Sequence, residues 1–133
     1  MSALRPMLMD GGLARAARSG DNILASRQLL SISADANATL TVAAMAGGLI
    51  QFTGFTAGRT LTTDTAANII AANPWMDIGD SFEVVVSSKN AFAGTLAAGT
   101  GVTLAGRATV AASSFAILLF TKTGAAAVTC TVL

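Results

Sequence analysis

Residues 79 to 124 constrain this chain more than any other stretch. They read GDSFEVVVSSKNAFAGTLAAGTGVTLAGRATVAASSFAILLFTKTG. Two strands with solid hydrophobic centres, Phe82 to Val86 and Phe115 to Phe120, flank a run of Gly, Thr, Ala, Val and Leu. Short apolar alternation broken by glycine turns is the pattern of a small antiparallel β-sandwich. No helix of ordinary length fits between Gly79 and Gly124. The stretch therefore predicts a β protein that works through its surfaces.

The same pattern extends upstream. Gln28 to Ser33 alternates weakly, and Ala38 to Val42 alternates cleanly, with Leu40 and Val42 on one face. Asp35-Ala-Asn37 and Gly47-Gly48 are turns, Leu49 to Thr53 is a strand, and Arg59 to Thr63 is a short strand with Leu61 inward. Asp64 to Asn73 is the best helix candidate. Asp64 or Thr65 caps its start, Ile69 and Ile70 give it an apolar face, and Asn73-Pro74 ends it. Trp75 follows and is expected to plug one end of the sandwich. Downstream, Phe82 to Ser87, Phe92 to Ala97, Gly101 to Leu104, Arg107 to Ala111, Phe115 to Thr121 and Ala127 to Leu133 are strands, with a hairpin turn at Lys122 to Gly124. The expected fold is all-β: a jelly-roll-like antiparallel β-sandwich of about eight to ten strands, with one short helix and an extended N-terminal arm. Residues 1–20 form the arm and residues 21–133 the sandwich domain.

Composition narrows the function. Only 11% of the 133 residues are charged, against roughly 25% in an ordinary soluble domain. No apolar run reaches the ~18 residues of a spanning helix, and the N-terminus has no continuous hydrophobic segment of the kind a signal peptide carries. A chain so poor in charge is expected to cover part of its surface with other subunits. The net charge of +1, from 8 basic and 7 acidic residues, gives no clustered basic footprint for nucleic acid.

Absent residues narrow it further. There is no His and no Tyr, and the one Cys, Cys130, sits in the alternating strand Val128-Thr-Cys-Thr-Val132. No Ser-His-Asp or Cys-His pair and no imidazole metal site can be built. Cys130 reads as a small core hydrophobe. Asp77, Asp80 and Glu83 lie close in sequence. Turn chemistry, in which Asp bonds nearby backbone, is the preferred reading over a divalent cation site. The glycines between Gly94 and Gly106 lack the patterns of phosphate-binding loops. The expectations are no enzymatic activity, no cofactor, no small-molecule substrate, no nucleic acid and no membrane span. Ala57-Gly-Arg-Thr-Leu61 echoes Ala105-Gly-Arg-Ala-Thr109, a match too short for a duplication.

The N-terminal segment differs from the body. Leu4, Met7, Leu8, Met9 and Leu13 are apolar side chains in an otherwise irregular arm, interleaved with Arg5, Arg15 and Arg18. Ordinary disordered tails are hydrophilic. These eight residues are therefore the candidate interface with a neighbour, another copy or a different partner, methionine adapting to irregular partner surfaces and arginine pairing with acidic rims.

Three places carry a resemblance. Thr60-Leu-Thr-Thr-Asp-Thr-Ala-Ala-Asn-Ile-Ile70 with Asn73-Pro74 reads as a threonine-rich strand entering a short alanine-rich helix. Ile78-Gly-Asp-Ser-Phe-Glu-Val84 is a turn into a strand, and Gly99-Thr-Gly-Val-Thr-Leu104 precedes Ala105-Gly106. In these the chain resembles small virion proteins of tailed bacteriophages, of the capsid decoration (cement) or head-fibre type. The resemblance implies a β-rich homo-oligomer, a trimer in preference to a dimer, with the major capsid protein as its partner. It implies a place on the outer surface of the capsid, after a period in the host cytoplasm during assembly. The alternative is a head-fibre or tail-spike domain that binds host surface glycan.

Overall fold

The computed structural model describes residues 27–133. Ten strands make two sheets. The six-stranded sheet has the order β1 (Gln28–Ile32), β3 (Gly48–Phe52), β5 (Ser81–Ser88), β9 (Ser114–Gly124), β10 (Ala127–Val132), β7 (Val102–Gly106). The four-stranded sheet has the order β2 (Ala38–Leu40), β4 (Arg59–Thr63), β6 (Gly94–Ala97), β8 (Thr109–Val110). A single helical turn, α1 (Val42–Met45), and a two-turn helix, α2 (Ala66–Ala72), join strands of different sheets.

The all-β class and the two packed sheets agree with the sequence. The antiparallel jelly-roll winding does not describe the pairing. Five of the eight strand pairs are parallel, and only β5–β9, β9–β10 and β6–β8 are antiparallel. The first six strands wind as a flattened coil, each crossing from one sheet to the other, so that β1, β3 and β5 stack in parallel opposite β2, β4 and β6. A parallel connection within one sheet needs a crossover of a dozen or more residues. Here each crossover also changes sheets, and a loop such as residues 53–58 suffices. The β9–β10 hairpin then fills the gap between β5 and the edge strand β7.

Period-two alternation points one side of each strand into a common core. In the six-stranded sheet, Ile50, Val86 and Ala116 form one inward row. Val84, Leu118 and Val132 form the next, and Phe82, Phe120, Cys130 and Leu104 a third. Leu40, Leu61, Leu96 and Val110 meet them from the four-stranded sheet in one hydrophobic cluster. The Phe82 and Phe120 rings stack with centroids 5.2 Å apart, and Phe52 stacks on Phe55 at the same distance. Each fully buried large side chain contributes on the order of 1.5–3 kcal/mol.

The helix obeys its sequence signals. Thr65 is the N-cap of α2, its hydroxyl accepting from the Asn68 amide at 3.2 Å, and Asn73 is the C-cap. Val42 departs from expectation. The strand stops at Leu40, and Val42 opens α1, with Thr41 as N-cap. The hairpin turn also moves. β9 runs on through Gly124, leaving Ala125-Ala126 at the bend, with a register shift at Ala127/Val128.

Candidate functional site

The eight arm residues singled out above, Leu4, Arg5, Met7, Leu8, Met9, Leu13, Arg15 and Arg18, lie outside the described residues, as does the boundary between residues 20 and 21. The surface of the described body falls into two ends, set by the winding. All crossovers from the four-stranded to the six-stranded sheet through α1 and α2 lie at one end. The loops joining β1 to β2, β3 to β4 and β5 to β6 lie at the other.

At the loop end, polar side chains stitch successive turns of the coil together. Exposed Asp35 accepts from the Thr56 amide at 3.0 Å, from the Thr56 hydroxyl, and from Arg59 Nε and Nη2 at 2.9 and 2.7 Å. The Thr56 hydroxyl, its amide and Arg59 together hold the Asp35 carboxyl down at about 2. Asn37 Oδ1 accepts from the Thr60 amide at 2.9 Å. Asn90 accepts from the Phe55 amide at 3.0 Å and donates to the Phe52 carbonyl at 2.8 Å and the Ser88 hydroxyl at 3.3 Å. The turn residues read from sequence are thus in their turns, but their bonds reach the next coil as well as their own. A shallow depression of about 610 Å3 lies here, lined by Ser87, Lys89, Asn90, Ser113 and exposed Phe115. Ser113 takes φ 53°, held there by its amide and hydroxyl, which both donate to the Asn90 carbonyl.

At the helix end, Asp64 plays the bridging part. Its carboxylate accepts from the Val42 amide at the start of α1 (2.9 Å), the Thr65 amide (2.8 Å) and Asn68 Nδ2 (2.8 Å). Burial opposes ionisation of Asp64, but hydrogen bonds from Asn68, Val42 and Thr65 together leave its pKa lowered. A cavity of about 370 Å3 opens beside it, lined by Val42, Met45, Gly48, Phe82, Arg27 and Glu83. That volume lies at the small end of ligand sites. Its polar rim is already engaged: Arg27 bonds the Gly48 carbonyl and Glu83 at 3.0 and 3.1 Å, and Asn73 donates to the Ile69 carbonyl and accepts from Trp75.

Trp75 does not plug this end. It is 55% exposed, while its neighbour Met76 is 2% exposed and takes the buried position. Lys122 fastens the loop by donating Nζ to the Met76 carbonyl at 3.2 Å, and Trp75 and Ile78 stand in solvent.

The acidic residues of the next turn do not converge. Asp80 Oδ2 accepts from the Asp77 amide at 2.9 Å, as a turn requires, and Glu83 pairs with Arg27. Among the described residues no group of three or more His, Cys, Asp or Glu side chains is placed to hold a metal ion. No helix there is long and apolar enough to cross a membrane. Cys130 is buried in the core, as read, and burial pushes its thiol up to about 12. The echoed arginines have different settings: Arg59 opens β4 and pairs with Asp35, whereas Arg107 follows β7 and donates to the Leu133 carbonyl.

Sequence reasoning missed the exposed apolar side chains, Trp75, Ile78 and Phe115 among them. For β9 a signal existed. Phe115 to Phe120 has no polar residue on either parity, the pattern of a strand whose two faces are both covered. Comparisons with protein-family models, with curated proteins and with solved structures gave no match.

Proposed function

We propose that this chain is a structural virion protein of the capsid decoration (cement) type. It forms a homo-oligomer, a trimer rather than a dimer, on the outside of a phage head and binds across major capsid subunits. One observation supports this reading most. The body leaves large apolar side chains in solvent, including Ile78 at 68%, Phe115 at 56% and Trp75 at 55%, while the polar clusters described above are spent on holding turns together. A surface of that kind fits association and offers no assembled chemistry. The proposed mechanism is passive. At ~25 cal/mol per Å2 of apolar area, a few hundred Å2 per copy is several kcal/mol before association costs, and a lattice multiplies it through avidity. The test is co-sedimentation of the purified full chain with undecorated capsids. Saturation at a fixed ratio to the major capsid protein is expected, and absence of binding overturns the reading.

Exposed Trp75 favours a second reading, a fibre or spike domain stacking a host glycan on the indole. In that case glycan binding is lost in Trp75→Ala, and the copy number per particle is far below that of a cement.

A further inference from the structure

The two outer faces of the sandwich differ in chemistry. On the four-stranded sheet, the outward positions are mostly threonine: Thr39 is level with Thr62, and Thr60 is level with Thr95 and Thr109. On the six-stranded sheet, register places Leu29, Leu49, Val85 and Ile117 level with one another on adjacent strands. Leu133, whose amide donates to the Ile117 carbonyl at 2.9 Å, extends the row. An unbroken aliphatic row therefore crosses four strands on the side away from the core and runs on to Leu133 just past the end of β10, with Phe115 beside it. Leu29, Phe115 and Leu133 are each more than half exposed. β-Branched hydroxyl residues suit a solvated pleat; on the six-stranded sheet they stand outward at Thr103, Thr121, Thr129 and Thr131, to one side of the aliphatic row and not within it.

We infer that the outer face of the six-stranded sheet is covered by a second copy of this chain, packed through the row Leu29–Leu49–Val85–Ile117–Leu133. The inference deepens the homo-oligomer reading and rests on it. Two observations choose the occupant. The first is charge. Among the strand positions of this face the one charged residue is Glu83, and Arg27 of the same chain already pairs with it at 3.1 Å. A neutral face offers nothing to steer a charged foreign partner, and it brings no like-charge repulsion against its own copy. The second is area. Six strands at ~4.8 Å spacing and four outward rows about 7 Å apart give a flat area of roughly 600 Å2. Side-chain relief brings that near the ~800 Å2 per partner of a standard stable interface. Three such faces turned toward one axis would bury the row on every copy.

The experiment is sedimentation velocity of the full-length chain, wild type against Ile117→Lys. A parallel Val85→Thr/Ile117→Thr variant keeps both positions β-branched, and far-ultraviolet circular dichroism reports the fold of each. The expected result is an oligomeric wild type, with association weakened roughly thirtyfold or more by Ile117→Lys, the effect of a central interface residue, and less by the threonine pair. A photo-crosslinker at position 117, in a mixture of isotope-labelled and unlabelled protein, identifies what lies on the face. Hybrid products joining this face in two copies support the inference. Products within one chain joining position 117 to residues 1–26 overturn it, as does an oligomer unchanged in both variants. A monomeric wild type overturns both this inference and the homo-oligomer. Capsid binding by a protein whose oligomer ignores position 117 overturns this inference alone.

Discussion

At one end of the sandwich the chain changes sheets through α1 and α2; at the other it does so through loops. The difference decides what holds each end. Helices this short leave most of their end amides without intrahelical partners, and the helix end supplies them locally: Thr41 and Thr65 cap α1 and α2, and Asp64 ties the starts of both. Loops leave amides and carbonyls without partners. The loop end supplies those partners from Asp35, Asn37 and Asn90, each reaching the neighbouring turn of the coil. Tight stacking has a steric consequence as well. A Cβ on Gly54 would lie 1.9 Å from the Ser33 carbonyl oxygen, nearer than any real contact. The loop end is therefore locked by close backbone approach and directed polar bonds. The helix end is held by helix caps and short-range bonds within its own turns, and it leaves Trp75 and Ile78 in solvent.

The largest expected effect breaks the stacking directly. Gly54→Ala should destabilise by about 3 kcal/mol, the upper part of the overpacking range, because carbonyl and Cβ cannot both stay. Gly58→Ala, in the same loop with only the Ala93 carbonyl at 3.8 Å, should stay within about 0.5 kcal/mol of wild type. Urea unfolding of both measures the difference. Equal effects would mean that the turns do not stack closely.

The helix end has its own pair. Met76→Ala should cost about 2–3 kcal/mol through the cavity it leaves, whereas Trp75→Ala should cost less than about 0.5 kcal/mol. A thermal melt that ranks the two in the opposite order would return Trp75 to the role of plug. Between ends, Asn90→Ala should cost about 2 kcal/mol, since it strands the Phe55 amide at the part-buried loop, while the Phe52 carbonyl keeps its bond from the Lys89 amide. Asn68→Ala, which removes one side-chain bond to Asp64, should cost about 1 kcal/mol.

Much of this molecule was legible in its sequence, for local reasons. Asp35, Asn37, Gly47-Gly48 and Asn90 stand in turns because φ freedom and Asx bonding act within a few residues. Thr65 caps α2 for the same kind of reason. Strand direction was not legible. Alternation tells which side of a strand is inward but is identical for parallel and antiparallel neighbours, so β1, β3 and β5 could not be seen to run together. Ala125-Ala126 carries no turn chemistry, and the hairpin was read at the glycine before it. Trp75 was misplaced because size argues for burial, while Met76 beside it takes the buried position. The proposed interface row was hidden for a related reason: Leu29, Leu49, Val85 and Ile117 become neighbours only through register, although the unrelieved Phe115 to Phe120 run pointed toward a strand covered on both sides.

The smallest expected effect separates the two ends by acid and salt. Asp35 and Asp64 both have lowered pKa values in the folded protein. A carboxyl with a lowered folded pKa stabilises the fold fully above its unfolded value, near 3.8, and loses that contribution as pH falls through the folded value. Melting temperature should therefore be flat at higher pH as far as these two groups are concerned, and should fall from about pH 4 toward about pH 2, where Asp35 takes its proton. Asp35→Asn and Asp64→Asn should each flatten part of that fall. Salt tells them apart. Part of the Asp35 contribution comes from half-buried Arg59 at the surface, and a solvent-reached ion pair weakens as ions screen it. The bonds that lower Asp64 come from the Val42 and Thr65 amides and from Asn68, none of them charged. Raising sodium chloride should shrink the part of the fall that Asp35 contributes, which Asp64→Asn retains, and leave nearly unchanged the part that Asp64 contributes, which Asp35→Asn retains. Melting curves at two salt concentrations across that pH range measure this, and equal salt sensitivity in the two variants would mean that the ends are held by the same kind of bond.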